Sequence, residues 1–456
     1  MPIPISCPCG MTAKVKESYA GKRVKCPQCG GGVAVPDAAP SLPEPVLERV
    51  DNLFNGCRTT VWLDQIQCPH CWEKFPPTDL LAVAEAEELR GDPVLGDDEF
   101  LRFPPVHFSL DGIPLDGHGN RCRQLACPRC HLPVPRAFMT TAPTIISLVG
   151  AAGSGKSYLL AAMTHSLRRS LPRYFGRGFN DADTVSNLAL GEYERRLFRS
   201  ADNFVLLDKT QQVGGDLYRE VIIDEMPYRY PRPFLFALAP MAANTALKPQ
   251  TLILYDNAGE SFQPGEAKRE DETVTTHTVN SAAMLFLFDP TQDVDLRRRL
   301  NSNDPQLQNT KNVYHQALIL NEIALRMKNL LGLKAGQRHR QPLVVVVAKC
   351  DIWQNLLPAA LTALPVKTGG DGYELDAAEL ERVSAATRNL LNESCPDVVA
   401  AAESAWATVK YVPASATGCS PQRDAATGAL GFNPQNIKPI WAEIPLLWAI
   451  KMANGK

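Results

Sequence analysis

The chain contains no run of 18 apolar residues, so it offers no segment able to cross a bilayer as a single helix. Residues 1–10 lack the order of basic residues followed by an apolar stretch that marks a secretory leader, and the expected compartment is the cytoplasm. Charge of one sign is also missing. Forty-seven Lys and Arg stand against 49 Asp and Glu, and a net charge of −2 gives no whole-protein case for nucleic acid or a membrane surface. No internal repeat of fixed period and no long low-complexity tract is present, which excludes solenoid and tail-like architectures. What remains is a 456-residue chain, 45% hydrophobic and 21% charged, with enough apolar material for two or three domains.

Thirteen cysteines are unevenly placed: ten precede residue 131, and eight of these form C-x-C or C-x-x-C pairs. Pairs of that kind in an intracellular chain indicate metal rather than disulfides. Cys7-Pro8-Cys9-Gly10 and Cys26-Pro27-Gln28-Cys29-Gly30 are two knuckles sixteen residues apart, and four thiolates would close a tetrahedral structural Zn²⁺ site. Cys68-Pro69-His70-Cys71 and Cys127-Pro128-Arg129-Cys130 suggest a second such site with a 55-residue insert between the pairs. Cys57, Cys122, His70 and His131 are alternative ligands that are more often plain structural or surface residues. The first unit also carries Lys14, Lys16, Lys22, Arg23 and Lys25 against Glu17. That face would meet nucleic-acid phosphates, or serve as an ordinary solvated surface or protein dock; Tyr19 is its one aromatic.

The chain divides in this reading into a zinc ribbon (1–35), a Pro/Ala/Glu-rich linker (36–56), a second zinc-binding module (57–140) with a helical segment near Thr78–Arg90, and a larger domain (141–456). From Thr144 onward, apolar strands alternate with amphipathic helices. Six strands are expected at 144–149, 233–239, 251–256, 283–289, 343–348 and 410–413, several so continuously apolar that both faces must be covered. Helical patterns fall at 156–170, 311–331, 375–393 and 439–452, with an inserted helical element near 184–200. The class is α/β, a mostly parallel, doubly wound sheet preceded by two small zinc-ribbon modules.

Gly150-Ala151-Ala152-Gly153-Ser154-Gly155-Lys156-Ser157 fits G-x-x-x-x-G-K-[ST], follows a strand and opens a helix, as a P-loop requires. The glycines would let backbone N–H groups wrap phosphates, Lys156 would reach the β- and γ-phosphates, and Ser157 would bind Mg²⁺. The strand 251–255 runs into Asp256-Asn257-Ala258-Gly259-Glu260, a D-x-x-G in which Asp256 would hold Mg²⁺ and Gly259 would sense the γ-phosphate; residues 260–276 suit a switch. Ala348-Lys349-Cys350-Asp351 resembles the guanine-reading N-K-x-D. Asp351 would accept from guanine N1–H and its exocyclic amine, a donor pair adenine lacks, and the Lys349 stem would cover the base. Pro413-Ala414-Ser415-Ala416-Thr417 resembles the loop whose backbone N–H supports guanine O6, with Ser415 and Ala416 as its core.

Together these residues resemble the translation-factor-related, Ras-like class of P-loop GTPases over about 144–456. The resemblance implies a six-stranded P-loop sheet with strand 233–239 antiparallel to 251–256, Mg²⁺, and a cycle between GTP and GDP. More narrowly, Cys127-Pro128-Arg129-Cys130-His131, the stretch 150–163 and Pro445-Leu446-Leu447-Trp448 resemble the bacterial double-GTPase family of multi-gene conflict systems. There the GTPase regulates partner effectors, which implies regulatory or effector proteins as partners here. Three features depart from the pattern. Lys156 and Asp256 stand 100 residues apart, so the switch threonine falls to Thr210, with Thr184 second. Glu260 stands where relatives carry a water-orienting Gln, which opens the alternative of partner-dependent hydrolysis or a GTP-binding scaffold without turnover. Ala348 replaces the usual Asn. Arg297-Arg298-Arg299 reads either as a solvated helix face or as a source of a transition-state arginine.

Overall fold

Runs such as Leu343–Val347, fully apolar and largely β-branched, have no side to turn toward water, and they form the centre of one large sheet. In this computed structural model the described residues are 3–16, 19–35, 62–207, 218–241, 248–257, 262, 271–300, 303–307, 315–369, 372–425 and 427–455. The sheet's strands are β1 (Pro143–Gly150), β2 (Arg177–Asp181), β3 (Pro233–Pro240), β4 (Gln250–Asp256), β5 (Ala283–Phe288), β6 (Leu343–Val347) and β7 (Val409–Pro413). Their order is β2-β3-β4-β1-β5-β6-β7, parallel from β4 to β7, with β3 antiparallel to β4 as expected.

The sheet has seven strands rather than the expected six. The added strand is β2, which pairs antiparallel with the outer edge of β3 from Arg177↔Pro240 to Asp181↔Phe236. Its sequence, RGFND, buries only Phe179, so no alternation announces it; pairing with a neighbour's open edge makes it a strand. The inserted helical element is α2 (Leu188–Phe198), which packs on α1 (Lys156–Phe175). The remaining helices are α3 (Asp271–Asn280), α4 (Gln316–Leu331), α5 (Ala377–Ser394), α6 (Pro396–Ala405) and α7 (Ile444–Asn454).

Alternation along the strands sorts side chains between two faces. Ile146, Leu148, Leu252, Leu254, Leu285 and Leu287 point to a core shared with α1, α2 and α7. Val149, Phe286, Phe288, Val345 and Val347 point the other way, under α4 and α6. Toward the β3–β4 side, that second face carries Ile145, Leu235, Ile253 and Tyr255, and here the cover is Ile66, Trp72, Phe75, Phe138 and Met139.

Chain contacts define two compact units, residues 1–61 with 105–123, and residues 62–104 with 124–456. In the first, the hairpins Ile3–Ser6/Thr12–Val15 and Arg23–Lys25/Gly32–Ala34 enclose a small core of Ile5, Val33 and Val35 beside Cys7 and Cys26. The expected linker 36–56 lies outside the described residues. In the second unit, the helical segment expected near Thr78–Arg90 is not helical. Pro77–Asp79 makes one 3₁₀ turn, and Leu81–Val83 is the middle strand between Arg102–Phe103 and Leu125–Ala126. All three of its residues are buried, so cross-strand packing on both sides overrides the local helical preference of the Ala/Glu-rich stretch that follows.

Candidate functional site: the carboxyl edge of the sheet

The parallel strands β1, β4, β5, β6 and β7 deliver their carboxyl ends to one edge, where ligands bind in open α/β sheets. β1 ends at Gly150, whose Cβ, were there one, would lie 2.7 Å from the Leu287 carbonyl oxygen; only glycine lets β1 and β5 run this close at the loop. Gly153 (φ +69°) and Gly155 (φ +93°) take left-handed conformations that turn the chain into the N-terminus of α1. The 20-residue helix therefore aims its first N–H groups and the positive end of its dipole at the loop. Lys156 Nζ donates to the carbonyls of Gly150 (3.1 Å) and Ala151 (2.9 Å), which lays its ammonium across the loop's rim.

At this edge, Ser154 Oγ, Asp256 Oδ1 and Gln292 Oε1 are buried with no hydrogen-bond partner among the described residues, and both carboxyl oxygens of Asp351 are buried with the Ser415 hydroxyl as their neighbour. Buried polar atoms are almost always paired, so unpaired ones along this edge are available to a ligand. Asp256 closes β4. Burial pushes its carboxyl up to about 6, against the pull of the Lys156 ammonium, its neighbour's N–H and the Ser157 hydroxyl. Asp351 follows β6 and is likewise raised by burial, with Ser415 offsetting part of the effect.

Lys349, in the left-handed region at φ 53°, turns the chain from β6 and sends its Nζ to Asp289 Oδ2 and Thr291 Oγ1. Its stem lines a cavity of about 260 Å³ that also touches Gly153–Gly155, Tyr158, Leu206, Ala416 and Phe432. Ala416 forms part of the wall, but the Ser415 N–H is already bonded to the Ile440 carbonyl at 2.8 Å. Ser415 and Ala416 thus both line the cavity, with the Ser415 N–H engaged by the protein itself. The Ser415 hydroxyl receives the Gly418 N–H at 2.8 Å and holds the loop shut. Trp353 Nε1 caps the carbonyl of Ala348, the position where the usual Asn is missing.

Sequence reasoning missed Asp289, Thr291, Gln292 and the apolar wall of Tyr158, Leu206 and Phe432. Asp289-Pro290-Thr291 at the end of a buried strand was a readable signal. The wall was not, because Leu206 and Phe432 meet through a two-residue bridge, Val205↔Phe432, between segments over 200 residues apart. Tyr158 bonds the Leu207 N–H at 2.8 Å and packs on Phe432 at 5.6 Å, so the first turn of α1 fixes the chain where residue 208 begins. Thr210, Gly259 and Glu260 lie outside the described residues, and Thr184 is exposed just before α2. Arg297, Arg298 and Arg299 are each tied to protein partners: the Thr291 and Leu307 carbonyls, Asp295, and Ser394 with Glu393.

Both expected cysteine tetrads come together. Cys7, Cys9, Cys26 and Cys29 form one cluster and Cys68, Cys71, Cys127 and Cys130 the other, each with all four sulfurs within 4.8 Å of one another. The closest Sγ pairs stand 3.5 to 3.7 Å apart, too far for a disulfide at about 2.05 Å. They match the spacing of about 3.8 Å that four sulfurs take around Zn²⁺ at 2.3 Å. His70 and His131 are occupied elsewhere, against the Pro133 carbonyl (3.0 Å) and Asp92 (2.8 Å).

No protein-family model and no curated protein matches the sequence. Among solved structures, translation elongation factor SelB from Methanococcus maripaludis, in complex with a GTP analogue, is similar at 10% identity and a TM-score of 0.20. That match covers 60% of this chain and 30% of the factor's, so the chain spans less than a third of its length. The signal recognition particle receptor SRb-GTP/SRX complex from Chaetomium thermophilum is similar at 14% and 0.25, over 62% and 94% of the two chains. The S. cerevisiae Ski7 GTPase-like domain bound to GTP is similar at 14% and 0.24, over 60% and 43%. Likeness this slight assigns nothing by itself, and the reading of the site rests on its own geometry.

Proposed function

We propose that the chain binds GTP and GDP with Mg²⁺, hydrolyses GTP, and acts as a switch on regulatory or effector proteins of a bacterial conflict system. The observation that carries the guanine reading is Asp351: a carboxylate with both oxygens buried, just past the end of β6, with the Ser415 hydroxyl as its neighbour. Guanine presents two adjacent N–H donors to such a pair, and adenine does not. The phosphates belong at Gly150–Ser157, where backbone donors, the helix terminus and Lys156 converge. Ser157 and Asp256 fit Mg²⁺, because the buried Oδ1 of Asp256 is a hard anionic oxygen beside the Ser157 hydroxyl, and burial, which raises its pKa, would be offset by a divalent cation. Bound there, the ion would neutralise phosphate charge. Lys156 would exchange the Gly150 and Ala151 carbonyls for phosphate oxygens. The two cysteine tetrads would hold structural Zn²⁺ that supplies folding energy to small cores.

The test is calorimetric titration of GTP and ATP, with Mg²⁺, into the purified full chain and into Lys156→Ala. Tight GTP binding, weak ATP binding and loss of both in the variant support the reading. Equal affinity for ATP, or binding of neither, sinks it. A companion phosphate-release assay separates a switch that turns over alone from one that needs a partner or only scaffolds.

A further inference from the structure

The second cysteine tetrad and the Mg²⁺-fitting carboxylate are joined by an unbroken set of buried contacts. Tyr255 immediately precedes Asp256 on β4, and by strand alternation the two side chains leave opposite faces of the sheet. The Tyr255 hydroxyl donates to the carbonyl of Pro69, inside the Cys68–Cys71 knuckle, and accepts from Trp72 Nε1 at 2.9 Å, one residue past that knuckle. Trp72 also packs edge-on against the Tyr255 and Tyr230 rings at 6.1 and 5.8 Å. The Tyr255 ring stacks on His277 of α3 with centroids 5.0 Å apart.

His277 in turn holds the residue on the other side of Asp256. Asn257 Nδ2 donates to the Leu148 carbonyl of β1 at 3.1 Å, which fixes its Oδ1 as an acceptor; His277 Nε2–H donates to that oxygen at 2.6 Å. His277 Nδ1 then accepts from Ser147 Oγ at 2.7 Å. Tyr255, Asn257, His277 and Ser147 are all at most 1% exposed. Asp256 is thus gripped on both flanks by one buried block, and the block's outer end is the backbone of a metal knuckle. An ion bound there would cross-link that knuckle to Cys127 and Cys130 and so fix where Pro69 and Trp72 stand.

We propose that Tyr255 is a positioning residue through which Zn²⁺ at Cys68, Cys71, Cys127 and Cys130 sets the Mg²⁺-dependent nucleotide affinity of the loop at Gly150–Ser157. This rests on the nucleotide reading above and adds a second metal as its determinant. Tyr255 touches neither nucleotide nor Mg²⁺. It acts by holding Asp256 in place, so its influence is confined to the part of the affinity that Mg²⁺ supplies.

The experiment uses the full chain purified with zinc, wild type and Tyr255→Phe, and measures GDP affinity with and without Mg²⁺ alongside zinc content by a colorimetric chelator. Tyr255→Phe is expected to retain its zinc and to bind GDP without Mg²⁺ as wild type does. With Mg²⁺ it is expected to bind about tenfold more weakly, the order of one or two lost buried hydrogen bonds. Stripping zinc from wild type is expected to reproduce that loss and to add less than about twofold to the variant, since coupled changes do not add. Wild-type Mg²⁺-dependent affinity in Tyr255→Phe, or losses that simply multiply, overturns the proposal while leaving nucleotide binding intact. Absence of GDP binding by zinc-loaded wild type overturns the nucleotide reading itself. If zinc removal unfolds the chain, Trp72→Phe at full zinc content decides: a Mg²⁺-dependent loss matching Tyr255→Phe supports the coupling, and none overturns it.

Discussion

Lys349 Nζ lies 2.8 Å from Asp289 Oδ2, an ion pair that joins the end of β6 to the end of β5 with the carboxylate wholly buried. The pair sets the lysine stem along the cavity wall and settles a charge that would otherwise stand alone in the protein. Removing the cation should therefore cost stability before it costs affinity. Lys349→Met is expected to lower stability by about 3 kcal/mol, the penalty of an abandoned buried charge, and Asp289→Asn in the same chain is expected to restore much of it. Thermal unfolding of the two singles and the double checks this; additive losses would contradict the pairing.

Asp351→Asn exchanges one carboxylate oxygen for an amide donor. GTP should weaken by about 100-fold, the scale of hydrogen bonds to a charged group, and xanthosine triphosphate, which presents a carbonyl where guanine presents its amine, should strengthen. Competition titrations with both nucleotides give the result directly. A parallel fall for both would place Asp351 outside the base site.

Gly418, at φ +66°, passes so close to the next segment that an added Cβ would lie 1.9 Å from the Lys438 carbonyl oxygen. It also donates to Ser415 Oγ, so the loop carrying Ala416 depends on it. Gly418→Ala is expected to cost about 2–3 kcal/mol and to weaken GTP binding together with the melting temperature. A variant that melts like wild type and binds GTP normally would show that the loop tolerates rearrangement.

Acid should destabilise the fold through its neutral histidines. His165, on α1, stacks on Phe198 at 3.9 Å; burial, with Arg169, Arg199 and Arg168 nearby, brings its pKa down to about 4. The unfolded chain takes up this proton near pH 6.5 and the folded chain only near 4. Stability is therefore unaffected above about 6.5 and falls across the window down to 4, by at most about 3 kcal/mol for this residue. His165→Phe should flatten the melting temperature between pH 7 and 5 relative to wild type. An unchanged slope would assign the acid sensitivity to other groups, His70 and His277 among them.

The glycine-rich loop and the cysteine pairs were legible because such motifs demand fixed local spacing. Gly150–Ser157 and both cysteine tetrads fall where their patterns put them. The large sheet was legible because runs like Leu343–Val347 leave no alternative to burial on both faces. β2 was not, since one buried Phe179 in five residues carries no period, and its structure comes from the edge it joins. The same holds for the stretch after Asp79, where Leu81–Val83 pairs with strands about 20 and 40 residues away. Tyr158, Gln292 and Phe432 act through distant neighbours, and nothing in their own surroundings in the chain marks them.

The covering of β4 by Trp72, Phe75 and Phe138 has a practical corollary for anyone wishing to isolate the large sheet. A protein starting at residue 141 would keep the glycine-rich loop and Asp351, yet it would bare Ile145, Leu235, Ile253 and Tyr255 as a greasy patch. Such a fragment is a candidate for precipitation rather than for enzymology. The compact unit that holds the sheet takes in 62–104 as well as 124–456, with its cysteine knuckle as an organ of the sheet and not an appendage to it.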